Sequence, residues 1–231
     1  MGKITVEDQL EDFQKLSIQK KKKINSKSKG KTGEAYFVNI LKDISSYPFF
    51  RTPNSGSFLG QENRRRVSQM TMGQIDVSLG DIICPSFLKN RLIFESKNYA
   101  EDTISFHNLM TKDIPKKIIE WQEQIEYDTE TAYMIKDNKK IIPILCIKIT
   151  RVGSFAVFNL KLMETFGTDI LDNLNYVCFK KPITSQKLID EGFLDRYYMI
   201  DFNEFINVVK NKLFEVNEEH PDFIEFFNRK N

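Results

Sequence analysis

Residues 91–97, with the sequence RLIFESK, constrain the fold more than any other segment of the chain. They combine a short apolar run, which predicts a buried strand, with an acid and a lysine two positions apart. Successive side chains of a strand point to opposite faces, so Glu95 and Lys97 share one face. Taken alone, the pair is best explained as a structural ion pair.

A second carboxylate is expected beside this pair. Residues 74–83 carry apolar side chains in alternation and predict a strand that forms a hairpin with residues 91–97, which places Asp81 across from Glu95. Asp76 is the alternative, since a regular strand points the two aspartates to opposite faces, but Asp81 lies nearer the hairpin turn. Two converging carboxylates repel each other unless a cation lies between them, and an all-oxygen site suits Mg2+ or Mn2+.

The first amphipathic helix offers a third acid. Residues 32–45 have apolar side chains at helical spacing, and Thr32 is the expected N-cap. Glu34 extends the inward face of this helix. The helix dipole alone explains a glutamate in a first turn, with a contribution under about 1 kcal/mol. The functional alternative makes Glu34 a third carboxylate near the metal.

The other apolar patterns predict an α/β (α+β) protein. Residues 114–125 present isoleucines and a tryptophan on one helical face, and residues 141–149 and 154–162 are runs typical of buried strands. A short strand at residues 197–200 and a helix capped by Asp201 follow. This order predicts a mixed β-sheet core flanked by helices, with a mostly helical C-terminal extension.

One domain of ordinary size is expected, because 231 residues with 41% hydrophobic side chains can bury one core. Its expected parts are an acidic and then lysine-rich arm, a core, and a C-terminal appendage packed on the core, at residues 1–31, 32–165 and 166–231. The three cysteines lie among apolar residues and form no CxxC, which predicts reduced core positions. No segment has the pattern of a membrane span or secretory signal, so a cytoplasmic location is expected.

Basic residues cluster although the formal net charge is only +2. Residues 20–31 hold seven lysines and no acid, a composition that predicts a mobile arm or an exposed turn. Three consecutive arginines lie in the long connection at residues 51–74, which has the length of a functional loop. Solvated charge is the simpler explanation, but separated basic and acidic segments favour a polyanionic partner.

Three other catalytic motifs are poorly supported. Residues 30–32 end like a phosphate-binding loop, but the first glycine and the preceding apolar strand of that motif are missing. Two histidines without HxH or HExxH spacing are too few for a zinc site. No GxSxG elbow supports a serine hydrolase.

Together, Glu34, Asp81 and the E-x-K tripeptide of residues 95–97 resemble the PD-(D/E)xK nuclease superfamily, whose pattern is an acidic helix residue, an aspartate and E-x-K on the adjacent strand. The KG-x-x-x-E spacing that ends at Glu34, the RTPNSG segment and the GDII segment are most similar to archaeal-type Holliday junction resolvases and their phage relatives. The resemblance covers roughly residues 29–150 and implies a restriction-endonuclease-like fold.

The chain also departs from the resolvase pattern. The loop at residues 58–73 is longer, Gly80 stands where proline is usual, and the C-terminal 70 or so residues have no recognised counterpart. These departures bear on the choice of substrate more than on the chemistry.

The resemblance implies a metal-dependent endodeoxyribonuclease. Asp81 and Glu95, with the main-chain carbonyl of Ser96, would hold Mg2+, and Mn2+ would substitute for it. Glu34 would complete or order the metal shell through water. Lys97 would orient the attacking water and balance the phosphate charge.

The superfamily often adds a glutamine on the helix after E-x-K. Gln122 and Gln124 are both available in this chain. At 100° per residue, Gln122 lies slightly nearer the centre of the apolar helical face, so Gln122 is preferred as a catalytic residue by a small margin.

The implied partner is DNA. A four-way junction is the favoured substrate, and symmetrical cleavage of two opposed strands would require a homodimer. Phage-type or restriction-like cleavage of duplex or single-stranded DNA is one alternative, and a non-catalytic DNA-binding or interaction module is another. Contacts to the DNA backbone are assigned to basic and hydroxyl side chains, namely Lys29, Lys31, Arg51, Ser55, Ser57, Arg64, Arg65 and Arg66.

Overall fold

The structure is a computed structural model that describes residues 26–53, 69–99, 104–135, 138–159, 165–180 and 196–230. Its helices and strands follow in chain order as α1 (Ser26–Ser45), β1 (Phe50–Arg51), α2 (Met72–Asp76), β2 (Ile82–Ile83), β3 (Asn90–Tyr99), α3 (Phe106–Thr111), α4 (Lys116–Ala132), β4 (Lys140–Ile149), β5 (Gly153–Asn159), a 3-10 helix (Thr168–Asn173), β6 (Tyr176–Lys180), β7 (Arg196–Asp201), α5 (Phe202–Leu213) and α6 (Pro221–Lys230).

Five strands form one mixed sheet in the order β3-β4-β5-β7-β6. β3 and β4 run parallel, with Asn90 opposite Lys140 and Tyr99 opposite Ile149, and the remaining neighbours pair antiparallel. β1 and β2 form a separate antiparallel ribbon. The mixed sheet, its flanking helices and the helical C-terminus confirm the predicted fold class and are consistent with a restriction-endonuclease-like fold.

Alternation along the strands gives the sheet two apolar faces. Phe94 and Phe158 belong to the face that packs against α1 and α5, where Phe37 and Phe205 are buried. Leu145 belongs to the opposite face, whose cluster includes apolar residues of α4. Because Glu95 and Lys97 alternate with Phe94, their side chains lie on the α4 face.

α1 begins at Ser26. The predicted N-cap at Thr32 is therefore wrong. Residues 26–31 are helical rather than an arm, because lysine is a good helix former and the helix is anchored further along by Phe37 and Leu41, which are fully buried. The rest of the predicted arm, residues 1–25, lies outside the described residues.

The predicted strand at residues 74–83 is wrong. Its first part is the short helix α2, in which the Thr71 hydroxyl accepts the Gln74 N–H while the Gln74 side chain accepts the Thr71 N–H. This reciprocal capping, together with a turn at residues 77–81, outweighs the alternating apolar pattern. The predicted hairpin with β3 is also wrong, because β2 pairs with β1 and β3 pairs with β4.

The strands β3, β4 and β5 and the helix α4 were correctly expected from their apolar patterns. The strand at residues 197–200 lies within β7, and the Asp201 carboxylate caps α5 by accepting the N–H groups of Asn203 and Glu204. β6 and β7 belong to the main sheet, so the sheet continues beyond residue 165 and a domain division there stays a prediction.

The three cysteines belong to the apolar core around Phe37 or pack against it, as the sequence predicts. Cys146 is buried, Cys84 and Cys178 are half-buried, and all three are free thiols. Within the ranges described, no helix is long and apolar enough to span a membrane.

Gly80 occupies a turn that requires glycine. Its φ is +64°, and a Cβ atom there would lie 2.6 Å from the carbonyl oxygen of Phe94. Proline cannot adopt this φ and has no N–H, whereas the Gly80 N–H donates to Asp128. The glycine that departs from the resolvase pattern is therefore dictated by the local backbone.

We expect the substitution Gly80→Ala to lower the free energy of unfolding by more than about 2 kcal/mol, because a left-handed φ alone costs about 1–2 kcal/mol and the Cβ contact adds to it. Gly30→Ala is the matched control. A Cβ at Gly30 meets nothing within 4 Å, so alanine in this helix should stabilise by about 0.5–1 kcal/mol. Denaturant unfolding checks both values. Equal effects of the two substitutions would contradict the conclusion that the turn requires glycine at position 80.

Candidate active site

Asp81 is bound to the edge of β3 that faces away from β4. Its N–H donates to the carbonyl of Phe94 over 2.7 Å, and its own carbonyl accepts the Thr52 N–H over 3.0 Å. The Asp81 carboxylate accepts the Ser96 N–H over 2.8 Å. Although no hairpin ladder forms, Asp81 lies beside the E-x-K segment, as the sequence predicts.

The main-chain carbonyl of Ser96 faces the same edge. The N–H and C=O of one strand residue point to the same side, and the Ser96 N–H points to Asp81. A carboxylate oxygen and a carbonyl oxygen are thereby available at one edge of the sheet.

Glu95 and Lys97 are in direct contact. Glu95 is 2% exposed, and the Lys97 Nζ donates to its Oε1 over 2.5 Å. The shared face that the strand alternation predicts is therefore confirmed. The side chain of Lys97 keeps some contact with solvent.

Gln124, and not Gln122, is the glutamine beside Lys97. The Lys97 Nζ donates to the Gln124 Oε1 over 2.8 Å. Gln122 is buried and donates to the carbonyl of Val157 in β5, so its side chain points along the sheet away from β3. The two glutamines flank the apolar face of α4 on opposite sides, a distinction that angular position on an isolated helix does not reveal.

Glu34 lies near the site but is bound to Arg51. It is 8% exposed, and its Oε2 accepts the Arg51 Nε over 2.8 Å and lies 2.6 Å from the second guanidinium nitrogen. Arg51, which was assigned to DNA, therefore contacts a buried acid. The charge of Glu34 still contributes to raising the pKa of Asp81 and of Glu95.

Asp128 is a buried acid that the sequence prediction missed. It is 9% exposed, and its Oδ2 accepts the Gly80 N–H over 3.1 Å. The sequence does indicate a buried position for this acid, because Asp128 lies three residues after Ile125 and seven after Trp121 on the apolar face of α4. An acid on such a face requires a specific partner.

Burial raises the pKa of the acids in this cluster. It raises the pKa of Asp81 to about 7, with a further rise from the Glu95 charge and opposition from the Ser96 N–H and Lys97. It also raises the pKa of Glu95, against the effect of Lys97. The pKa of Asp128 is raised to about 6 by burial, which outweighs the Gly80 hydrogen bond. A cation at this position would favour the charged forms.

The donor set at the β3 edge fits a hard divalent cation. Two buried carboxylates and a main-chain carbonyl are oxygen ligands of the kind that Mg2+ and Mn2+ prefer. In the part of the chain that the structure describes, no three His, Cys, Asp or Glu side chains are grouped to hold one ion. Glu34 therefore does not form a common ligand group with Asp81 and Glu95.

The other predicted site residues lie elsewhere or outside the described ranges. Asp76, the alternative to Asp81, is half-exposed in α2 and pairs with the buried Arg91. Lys31 is exposed on α1, and Lys29 belongs to the same helix. The positions Ser55, Ser57, Arg64, Arg65 and Arg66 lie outside the described residues, so their roles stay predictions.

Comparison with protein families found a match. The model of a family described as "Phage putative PDDEXK endonuclease" matches residues 25–215, which include the Asp81 turn, the E-x-K strand and the four acids of the site. Comparison with curated proteins and with solved structures found no match.

We expect the metal-free protein to be less stable at pH 8 than at pH 5. The pKa values of Asp81 and Asp128, about 7 and about 6, lie above the ordinary value of 3.8, so the folded chain binds more protons than the unfolded chain between these limits. Stability is therefore lost as the pH rises through the folded-state values. The melting temperature in chelator should fall by more than about 3 °C, since 1 kcal/mol corresponds to roughly 2–4 °C at this size.

Asp81→Asn is the matching variant, because asparagine still accepts the Ser96 N–H but does not titrate. The fall in melting temperature from pH 5 to pH 8 should be clearly smaller in this variant. A melting temperature that rises over this range in the unsubstituted protein would contradict the electrostatic account.

Proposed function

Because the chain belongs to the phage PD-(D/E)XK endonuclease family, we propose that it hydrolyses phosphodiester bonds of DNA at the β3 edge, with Mg2+ or Mn2+ as cofactor. One observation carries the proposal, namely that Asp81, Glu95 and Lys97 meet at one sheet edge. The Ser96 N–H donates to the Asp81 carboxylate at this edge, and Glu95 contacts Lys97. A buried acid pair beside a lysine has the composition needed for metal-dependent hydrolysis.

Asp81, Glu95 and the Ser96 carbonyl are the proposed metal ligands. When bound, the divalent ion would supply Lewis-acid activation of a water molecule and stabilisation of charge on the phosphate. Glu34 is proposed to act on this centre indirectly, because its carboxylate is bound to Arg51. Its negative charge adds to the attraction of the centre for a cation.

Lys97 is proposed to orient the attacking water and to balance the phosphate charge. Its ammonium group donates to Glu95 and to Gln124, so two partners from different elements hold the nitrogen in place. An ammonium group is a compact charge with several donors, which suits contact with both a water molecule and a phosphate oxygen. Gln124 thus supports the proposed function of Lys97.

The DNA backbone is proposed to contact the basic residues of the N-terminal segment. Lys31 is exposed on α1, three residues before Glu34, and Lys29 precedes it on the same helix. The hydroxyl and arginine residues of the connection at residues 51–74 are proposed to add further contacts. Such contacts position the DNA without reading its sequence.

A four-way junction remains the proposed preferred substrate, supported by the KG-x-x-x-E, RTPNSG and GDII segments. Paired cuts in opposed strands would need two active sites related by a two-fold axis, and hence a homodimer. Cleavage of duplex or single-stranded DNA by a phage-type nuclease is the alternative substrate choice within the same chemistry.

We expect Glu95→Gln and Lys97→Ala each to lower the cleavage rate at saturating DNA by at least about 10²-fold, because Glu95 is a proposed metal ligand and Lys97 a proposed contact of the attacking water and the phosphate. DNA affinity should change little, since phosphate contacts elsewhere carry binding. Lys89→Ala is the matched control, because Lys89 is an exposed lysine paired with Glu215. Cleavage of labelled DNA with Mg2+, with Mn2+ and with chelator measures the effect.

Full activity in chelator would contradict the metal proposal. Cleavage by Lys97→Ala at the rate of Lys89→Ala would instead remove Lys97 from the chemistry while leaving the metal ligands in place.

A parallel assay of junction, duplex and single-stranded DNA tests the substrate. We expect the junction to be cleaved at least about tenfold faster than a duplex of the same sequence, with paired cuts in opposed strands. Equal rates on junction and duplex would favour the phage-type alternative. A Glu95→Gln preparation run beside each substrate excludes a contaminating nuclease.

A further inference from the structure

We propose that Asp128 is a positioning residue that fixes the Asp81 carboxylate against the E-x-K strand. The inference rests on the proposed function, because it concerns the metal centre. Asp128 belongs to α4.

A continuous set of hydrogen bonds joins the two acids. The Asp128 carboxylate accepts the Gly80 N–H over 3.1 Å. The next residue, Asp81, donates its N–H to Phe94 and accepts the Ser96 N–H with its side chain. Asp128 thus fixes the Leu79–Gly80 peptide, and β3 fixes the Gly80–Asp81 peptide and the Asp81 side chain.

The left-handed turn explains why the acceptor must come from α4. With φ at +64°, the Gly80 N–H is directed at α4, while a Cβ at this residue would meet the Phe94 carbonyl. A buried N–H without an acceptor is costly, so α4 must supply an oxygen. Asp128 supplies it from the same helix that supplies Gln124 to Lys97, one turn earlier.

Burying the Asp128 carboxylate at this position costs free energy. Asp128 lies on the apolar face of α4, next to Ile125, and burial raises its pKa. Asp128 is not itself grouped as a ligand, since among the described residues no three acids can hold one ion. Its carboxylate contacts the N–H of Gly80, the residue directly before Asp81, and the proposed positioning acts through this contact.

The test measures Mn2+ affinity by calorimetric titration of the full chain with MnCl2 in the absence of DNA. Asp128→Ala removes the acceptor and should weaken Mn2+ binding about tenfold or more, the usual effect of losing a group that orients a metal ligand. Asp128→Asn keeps an acceptor oxygen and should stay within about threefold of the unsubstituted protein. Glu130→Ala, an exposed acid on the same helix, should have no effect.

A second readout separates positioning from general damage. If Asp128 acts through the metal centre, the cleavage rate of Asp128→Ala should recover as the Mn2+ concentration is raised, with the KM for DNA unchanged. Asp128→Leu fills the space of the carboxylate without an acceptor, and it serves if the alanine variant does not fold. Unchanged Mn2+ affinity in a folded Ala or Leu variant would overturn the proposal, and so would equal losses in Asp128→Asn and Asp128→Ala.

Asp81→Asn serves as the reference for the proposed function. If Asp81→Asn binds Mn2+ as tightly as the unsubstituted protein, the assignment of the metal ligands fails. If Asp81→Asn weakens binding and Asp128→Ala does not, only the positioning role of Asp128 fails.

Discussion

The hydrogen bond between the Asp81 N–H and the Phe94 carbonyl is the contact on which the site depends. It attaches a turn outside the main sheet to the edge of β3, and the left-handed conformation of Gly80 makes the approach possible. The Ser96 N–H then reaches the Asp81 carboxylate. One main-chain bond to β3, one bond from β3 to the Asp81 carboxylate and one main-chain bond from Thr52 thus replace the ladder of a hairpin. They bring an acid from the turn to the acid of the strand.

Two acids of the site form ion pairs, one within a strand and one between two elements. Lys97 contacts Glu95 on its own strand, whereas Arg51 of β1 contacts Glu34 of α1. Asp81 has a main-chain donor but no cationic contact of this kind among the described pairs, and burial raises its pKa most clearly to the neutral range. Burying acids at this density costs stability that an apolar core would not lose, which is the usual condition of a site built to hold a cation.

The sequence predicted those parts of the fold and of the candidate site that follow from the periodicity of apolar residues or from residues a few positions apart. The alternation in β3 placed Glu95 and Lys97 on one face, and the helical spacing of α4 identified its buried side. The assignment of residues 74–83 failed because a capping box and a left-handed glycine act over three or four residues and override alternation. Angular position on α4 does not identify Gln124 as the glutamine beside Lys97, because that contact depends on which neighbouring strand lies under each flank of α4, a tertiary property.

The attachment of the Asp81 turn to the edge of β3 also sets how the site can open. β3 is held to β4 by a ladder ten residues long, whereas the turn is held by a few isolated bonds. Local fluctuations of low free energy therefore release the turn before the strand, and amide exchange at the turn should be fast while that of β3 stays slow. One proposed ligand can leave and return while the other stays in the sheet, which would give an ion a route of entry that does not require unfolding of the core.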